Sequence, residues 1–328
     1  MKKKISVSLL LASLFIYLAF RNVDWHEALS ILRSADYRYV LLTTLLTVFI
    51  LYLRSYRWGL ILAPLRKIDQ GSLFSITSVG FMAIDLLPVR VGEFVRPYLI
   101  SQKSGIRMSS SLATILVERI YDFASLVIIL MVALLFVQLP LWVSGAGVMV
   151  VAIILPLLVL LTLIAMKREA SIKMIDMFVS KLPDVISLRL RGIVPSFLDG
   201  LEILPDLRRS LSVALTSLLI WMVNGFSIYF LFFSFGFRLP LVAAYVVLVI
   251  IALGLVLPAG PGFVGNFHFF CVMALALFGI PKTQALTFAI LLHFTQILPI
   301  IICGLCFLPF HRLSFPSLFQ SSKNIGNL

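Results

Sequence analysis

Nine nearly unbroken apolar stretches constrain this chain more than any motif in it: residues 5–20, 39–63, 71–87, 109–138, 141–166, 211–236, 239–257, 263–280 and 283–309. Most approach the ~20 residues that a helix needs to cross the hydrocarbon of a bilayer. With 61% of 328 residues hydrophobic, 12% charged and a mean hydropathy of +1.09, a water-soluble fold has no room to hide this surface. Lipid is therefore the solvent, and the chain is an all-α polytopic membrane protein. Lys2, Lys3 and Lys4 ahead of the first run resemble a signal peptide. No small-residue cleavage pattern follows, so an uncleaved first helix is predicted.

Two interruptions stand out within the apolar pattern. Leu87-Pro88-Val89-Arg90-Val91-Gly92-Glu93 and Leu257-Pro258-Ala259-Gly260-Pro261-Gly262-Phe263-Val264-Gly265 share a Leu-Pro start and a Gly five residues after the Leu. Proline removes a backbone donor and glycine a side chain, so Pro88, Gly92, Pro258, Gly260, Pro261, Gly262 and Gly265 are expected to break helices. In hydrocarbon a broken helix leaves polar backbone unpaired, which is tolerated only against protein or a wet cavity. Transporters build substrate sites from such breaks.

The basic residues give a topology. Loop 21–38 balances Arg21, Arg33 and Arg38 with Asp24, Glu27 and Asp36, and the 139–141 turn has no charge. Cations collect instead at Lys2–Lys4, at Arg54, Arg57, Arg66 and Lys67, at eight positions in 167–209, and at Arg312 and Lys323. The positive-inside rule assigns these to the cytoplasm of an inner, cytoplasmic membrane, together with both termini. A full crossing by 71–87 would invert every later loop, so that segment is predicted to turn back near Pro88–Gly92 and return through about 92–104. Treating the second break alike gives two helix–hairpin–helix units, 39–138 and 211–309, with hairpins entering from opposite faces. The expected architecture is about six full transmembrane helices plus two re-entrant or broken-helix hairpins, a transporter-like inverted repeat within one membrane domain spanning 1–328. Between the units, 167–209 carries Met174, Ile175, Phe178, Val179 and Leu182, then Ile193, Val194, Phe197, Leu198 and Leu201, at helical spacing. It reads as an amphipathic cytoplasmic connector on the membrane surface.

Charge at membrane depth is costly and persists when paired or used. Arg54 and Arg57, beside Trp58, lie one turn apart; for Arg57 an interfacial, snorkelling position competes with a binding role. Asp85, Arg90, Glu93 and Arg96 occupy the first hairpin, and a half-helix starting at Gly92 would present free N–H groups to an anion. Glu118 and Asp122 stack on one helix face and repel unless an arginine lies between them; Arg119 is adjacent. The expected cluster links Arg90 and Arg96 to Glu118 and Asp122, serving either as a staple for the hairpin or as a headgroup site. A surplus of arginine over carboxylate suits a phosphate, because the guanidinium fork donates two parallel bonds.

The second unit is almost uncharged, offering Asn224, Asn266, His268, His293 and Gln296. No catalytic triad, metal quartet or nucleotide loop is evident, so no catalytic residue, metal or cofactor is expected. Cys303 and Cys306 have redox spacing but lie in an apolar run and read as packing residues. The formal net charge of +13 reflects cytoplasmic loops and anionic lipid rather than nucleic acid.

Arg54-x-x-Arg57-Trp58, Leu87-Pro88-x-Arg90-x-Gly92-Glu93-x-x-Arg96, Glu118-Arg119-Ile120-x-Asp122 and Leu257-Pro258-x-x-Pro261-Gly262-x-x-Gly265 occur in this order. The set resembles the lysylphosphatidylglycerol synthase transmembrane-region family, a flippase-like group of integral membrane proteins, in a form without the aminoacyltransferase domain. Where that family often has an acid after the last glycine, this chain has Asn266 and His268. The resemblance implies a lipid transporter rather than an enzyme. Its substrate would be an anionic or modified phospholipid, or a polyprenyl-phosphate lipid, bound by Arg54, Arg57, Arg90, Glu93, Arg96, Glu118, Arg119, Asp122, Asn266 and His268. Further partners would be a second copy of the chain or a lipid-modifying enzyme. The alternative is an accessory subunit, or an enzyme, acting on lipid-linked substrates.

Overall fold

The computed structural model describes residues 2–87, 92–258 and 260–311, with side chains from residue 10 onward and Val185 excepted. Among these residues every regular element is helical. The order is α1 (Lys2–Phe20), α2 (Trp25–Ser34), α3 (Tyr37–Leu62), α4 (Gln70–Leu86), α5 (Val95–Ser104), α6 (Met108–Leu134), α7 (Leu141–Met166), α8 (Arg168–Val179), α9 (Asp184–Asp199), α10 (Leu207–Ser234), α11 (Leu241–Gly254), α12 (Asn266–Ala276) and α13 (Lys282–Phe307). Four of them, α3, α7, α10 and α13, are long and apolar enough to cross a membrane. Helix α6 matches them in length, with 27 residues, but carries Glu118, Arg119 and Asp122.

Aspartates set several of the starts. Asp36, Asp69 and Asp206 each accept a backbone N–H of the following turn and open α3, α4 and α10. This is why α10 begins before the apolar run at 211. Helix α2 lies where charge counting suggested only a loop: the Asp24 carboxylate caps the N–H groups of His26 and Glu27, and Ala28 is buried. At Asp69, hydrogen bonds from the Ser72 N–H and hydroxyl hold the carboxyl below its ordinary range.

Both predicted breaks end a helix. Helix α4 stops at Leu86, and Leu87 turns extended; Pro88, Arg90 and the residues beside them lie outside the described residues. The chain resumes in a 3-10 turn at 92–94, and α5 starts at Val95, not at Gly92 as expected. A Cβ on Gly92 would strike the backbone of Ala83 and Ile84, so this glycine lets the two arms of the hairpin touch. In the second break α11 stops at Gly254, a short 3-10 turn covers Pro261–Phe263, and α12 starts at Asn266. Gly265, at φ 92, lies so close to α1 that an added Cβ would sit 2.7 Å from the Ala12 carbonyl. The four arms have 17, 10, 14 and 11 residues. At ~1.5 Å per residue all fall short of a ~30 Å hydrocarbon core.

The breaks come together. A Cβ on Gly262 would lie 3.6 Å from the Asp85 carbonyl oxygen, in the last turn of α4. Around this junction α3 packs along α10, α4 along α13 and α6 against α11; α13 also packs on α3, and α10 on α6. The connector folds as α8 and α9. Leu198, Leu201, Ile203 and Leu204 bury against Ala113, Val117 and Tyr121 of α6. Met174, Met177, Phe178, Leu188 and Ile193 remain exposed.

Candidate functional site

Glu118 and Asp122 occupy successive turns of α6, and an arginine does lie between them. It is Arg57 of α3. One guanidinium nitrogen donates to Glu118 Oε1 at 2.8 Å, the other to Asp122 Oδ1 at 2.6 Å and to Ser217 of α10 at 2.8 Å. Arg96, from α5, donates to the second Glu118 oxygen at 2.8 Å. Its guanidinium stacks over Trp58, 4.3 Å from the ring centroid, while the Trp58 indole N–H donates to Thr114 at 3.1 Å. The Arg96 stem runs through the space left by Gly80, where any Cβ would overlap it. Trp221 of α10 completes the set by donating to Asp122 at 3.0 Å. Arg57, Arg96 and Glu118 are at most 1% exposed. Four helices are thus joined through two guanidiniums and two carboxylates whose formal charges cancel.

This arrangement corrects the reading of Arg57 as an interfacial, snorkelling cation. Arg57, Arg96 and Glu118 bond one another rather than lining open space. They stand behind the wall of a cavity of about 400 Å³ that opens between the two breaks. Its charged lining is Arg54, Asp85, Glu93, Arg119 and Asp122. Phe81, Phe123, Trp221, Phe263, Phe267 and His293 supply aromatic walls, with Asn224 and Gln296 as neutral polar groups. Arg54 lies over the Phe81 ring at 4.6 Å and, among the described residues, has no carboxylate within ion-pair distance. Asp85 has a buried carboxylate oxygen with no hydrogen-bond partner. Arg119 reaches Asp122 only at 3.5 Å and is 36% exposed. The described lining holds two arginines and three carboxylates, and Arg90, which the expected surplus included, lies outside the described residues.

Of the ten residues singled out in the sequence, the cavity gathers Arg54, Glu93, Arg119 and Asp122. Arg90 lies outside the described residues. Asn266 and His268 are buried on α12 beside the cavity rather than on its wall. The Asn266 amide donates to the Pro258 carbonyl at 3.4 Å, tying down the second break. His268 meets His293 edge-on, with ring centroids 4.8 Å apart, and Phe20 of α1 at 5.5 Å. His293 stacks on Phe267 at 4.4 Å. Trp221, Ser217 and Phe81 were not singled out. Their signal was present but faint: Ser217 and Trp221 are one turn apart on α10, the helix that pairs with the Arg57 helix.

This is a multi-pass, all-helical membrane protein with a charged cavity lined by its helices. The family model for the lysylphosphatidylglycerol synthase TM region matches residues 5–304, and the chain belongs to that family. It is 27% identical over 250 residues to a protein from Methanothermobacter thermautotrophicus named a UPF0104 membrane protein, covering 71% of this chain and 74% of that relative. A second UPF0104 membrane protein of the same organism is 24% identical over 280 residues, covering 82% and 83%. A Haloferax volcanii protein named Glycosyltransferase AglD is 28% identical over 324 residues, which is 88% of this chain and 51% of that longer protein. No solved structure matches the chain.

Proposed function

We propose that this protein carries a phosphate-bearing lipid headgroup across the cytoplasmic membrane through the cavity between its two breaks. The observation that carries the reading is the state of Arg54 and Asp85: among the described residues Arg54 has no carboxylate within ion-pair distance, one Asp85 carboxylate oxygen has no hydrogen-bond partner, and both line the same cavity. Arg54 and Asp85 are half-buried in a low-dielectric surrounding, where incompletely satisfied charge is costly and a ligand of opposite charge offsets part of that cost. A phosphate meets Arg54 and Arg119, while Asp85, Glu93 and Asp122 suit a headgroup with a cationic or hydroxyl-rich part. A cavity of about 400 Å³ holds a headgroup and leaves the tails to the bilayer.

The packing supports an inverted repeat. Exchanging α3, α4, α5 and α6 for α10, α11, α12 and α13 turns the α4–α13 contact into α11–α6 and the α3–α13 contact into α10–α6. Arms too short to span, meeting at Asp85 and Gly262, favour hairpins that enter from opposite faces. The positive-inside rule then orients both termini and the α8–α9 connector toward the cytoplasm. No transferase step is assigned to the chain in this reading, and the gradient or consuming reaction that sets direction lies outside the cavity.

The relative named a glycosyltransferase favours one second reading, an accessory role beside an enzyme that acts on lipid-linked sugars. Purified protein in liposomes with headgroup-labelled phospholipid or polyprenyl phosphate separates the two. Transport predicts protein-dependent loss of the label from the accessible leaflet, reduced about tenfold by Arg54→Ala while the variant keeps its thermal stability. Full movement by that variant overturns the role of Arg54. An absence of movement for every lipid, with a transferase copurifying, supports the second reading.

A further inference from the structure

A second, smaller void adjoins the charged cavity. It lies between α6 and α11, under α7, and shares Phe123, Leu126 and Ala252 with the cavity wall. The rest of its lining is apolar, from Val127 and Leu130 on α6 through Gly147 and Val150 on α7 to Val249 on α11. At about 20 Å³ it is nearly shut. What shuts it is the most loosely held long helix of the fold. Only Val143, Gly147 and Leu161 of α7 are buried. The side-chain hydrogen bonds of α7 among the described residues, from Ser144 and Thr162, return to its own backbone. Where α7 touches α6, Gly147 seats directly on Leu130. Lipid tails are as apolar as leucine, so apolar helix faces in a membrane are held by packing alone. Replacing the α7 contact with a hydrocarbon chain therefore exchanges like for like. The α3–α6 contact is different, since opening it would strand the Arg57 and Glu118 charges.

We infer that the α6–α11 seam takes one hydrocarbon chain of the lipid whose headgroup occupies the charged cavity, with α7 displaced to admit it. The inference rests on the lipid-transport reading, and it commits to an acyl or prenyl chain because the seam is apolar throughout and shares Phe123, Leu126 and Ala252 with the cavity wall. It also accounts for how a headgroup reaches Arg54 without dragging both tails through a charged space.

Two measurements test it. In a chain whose three native cysteines are replaced by serine, Val150→Cys with Val249→Cys is bridged by a reducible bifunctional maleimide and assayed in liposomes. Bridging is expected to lower lipid movement about tenfold and reduction to restore it; full movement with α7 bridged overturns the seam. Independently of transport, a phospholipid with a photoreactive group near its chain end is crosslinked to the full-length protein in vesicles. Labelled peptides are expected to include Leu126 and Ala252, with about fivefold less labelling there in Ala252→Phe and unchanged labelling at Met149 and Ile153 on the outer face of α7. Labelling confined to that outer face means surrounding bilayer lipid only and overturns the proposal. Labelling of the seam in a protein that moves no lipid overturns the transport reading and leaves the chain site standing.

Discussion

The two helix breaks are held in place by different chemistry. The first is held by ions: Arg96 behind Gly80, Glu118 accepting from Arg96 and Arg57, and Asp122 accepting from Arg57 and Trp221. The second is held by rings and close backbone. Phe267 stacks on His293, His268 meets His293 edge-on, Phe15 of α1 packs on Phe269 at 5.1 Å, and Gly265 lies on the α1 backbone. Directional, charge-assisted bonds hold one geometry and fail abruptly. Ring contacts lose energy gradually as they slide, and each is worth only about 0.5–1.5 kcal/mol beyond its buried area. The first half thus supplies a frame and the second a surface that tolerates displacement.

The sharpest way to break this contrast is Glu118→Ala, which leaves Arg57 and Arg96 buried without their shared acid. A loss of about 3–5 kcal/mol is expected, read as a large fall in thermal stability in detergent or as failure to accumulate folded protein. Wild-type stability would mean that the ion cluster is not the frame. Next in size is Gly80→Leu, which fills the space occupied by the Arg96 stem. Overpacking there is expected to cost about 1–3 kcal/mol. Combined with Arg96→Ala, which removes the Cγ and Cδ that the new side chain would strike, the loss should be smaller than the sum of the two single losses, because both changes act on one site.

These two residues also mark how far the sequence alone could be followed. The Glu118/Asp122 spacing on a 3.6-residue helix demanded an intervening cation, and that demand is a local matter of periodicity. Which arginine met it depended on how α3 packs beside α6, which no spacing within either helix encodes. Arg57 beside Trp58 near a helix end has the pattern of an interfacial anchor. Only the fold shows it 1% exposed among Glu118, Asp122 and Ser217. The ends of α4 and α11 were legible because Pro and Gly act on their own backbone. The seat of Arg96 was not, since it depends on a glycine sixteen positions earlier in another helix. Helix α2 was missed for a plainer reason: its charges were counted for topology, and Asp24 was not considered as a cap.

Smaller effects sharpen the second half of the comparison. His293→Leu removes the polar edge of the ring stack and is expected to cost no more than about 1.5 kcal/mol, several times less than the loss at Glu118. A cost equal to that of Glu118→Ala would erase the distinction between the halves. The smallest effect lies outside the membrane, at the cap of α4. Asp69→Ala is expected to cost about 1 kcal/mol at neutral pH. Because hydrogen bonds from Ser72 lower the Asp69 pKa in the folded state, the contribution is full above the unfolded carboxylate value near ~3.9. It is lost as the pH falls through the lower folded value, so the variant and the wild type should converge in strongly acid solution. A gap that widens on acidification would show that the cap bond is not formed.

The chain of contacts from Arg57 through Glu118 to Arg96 has a mechanical consequence. Pulling α3, α5 and α6 apart would leave a bare ion in oil, so these helices must travel as one block during any cycle of opening and closing. On the other side of the cavity, Gly262 and Phe263, at φ 63° and 57°, hold consecutive residues in the left-handed region. In the proposed transport cycle that elbow is where the block would turn.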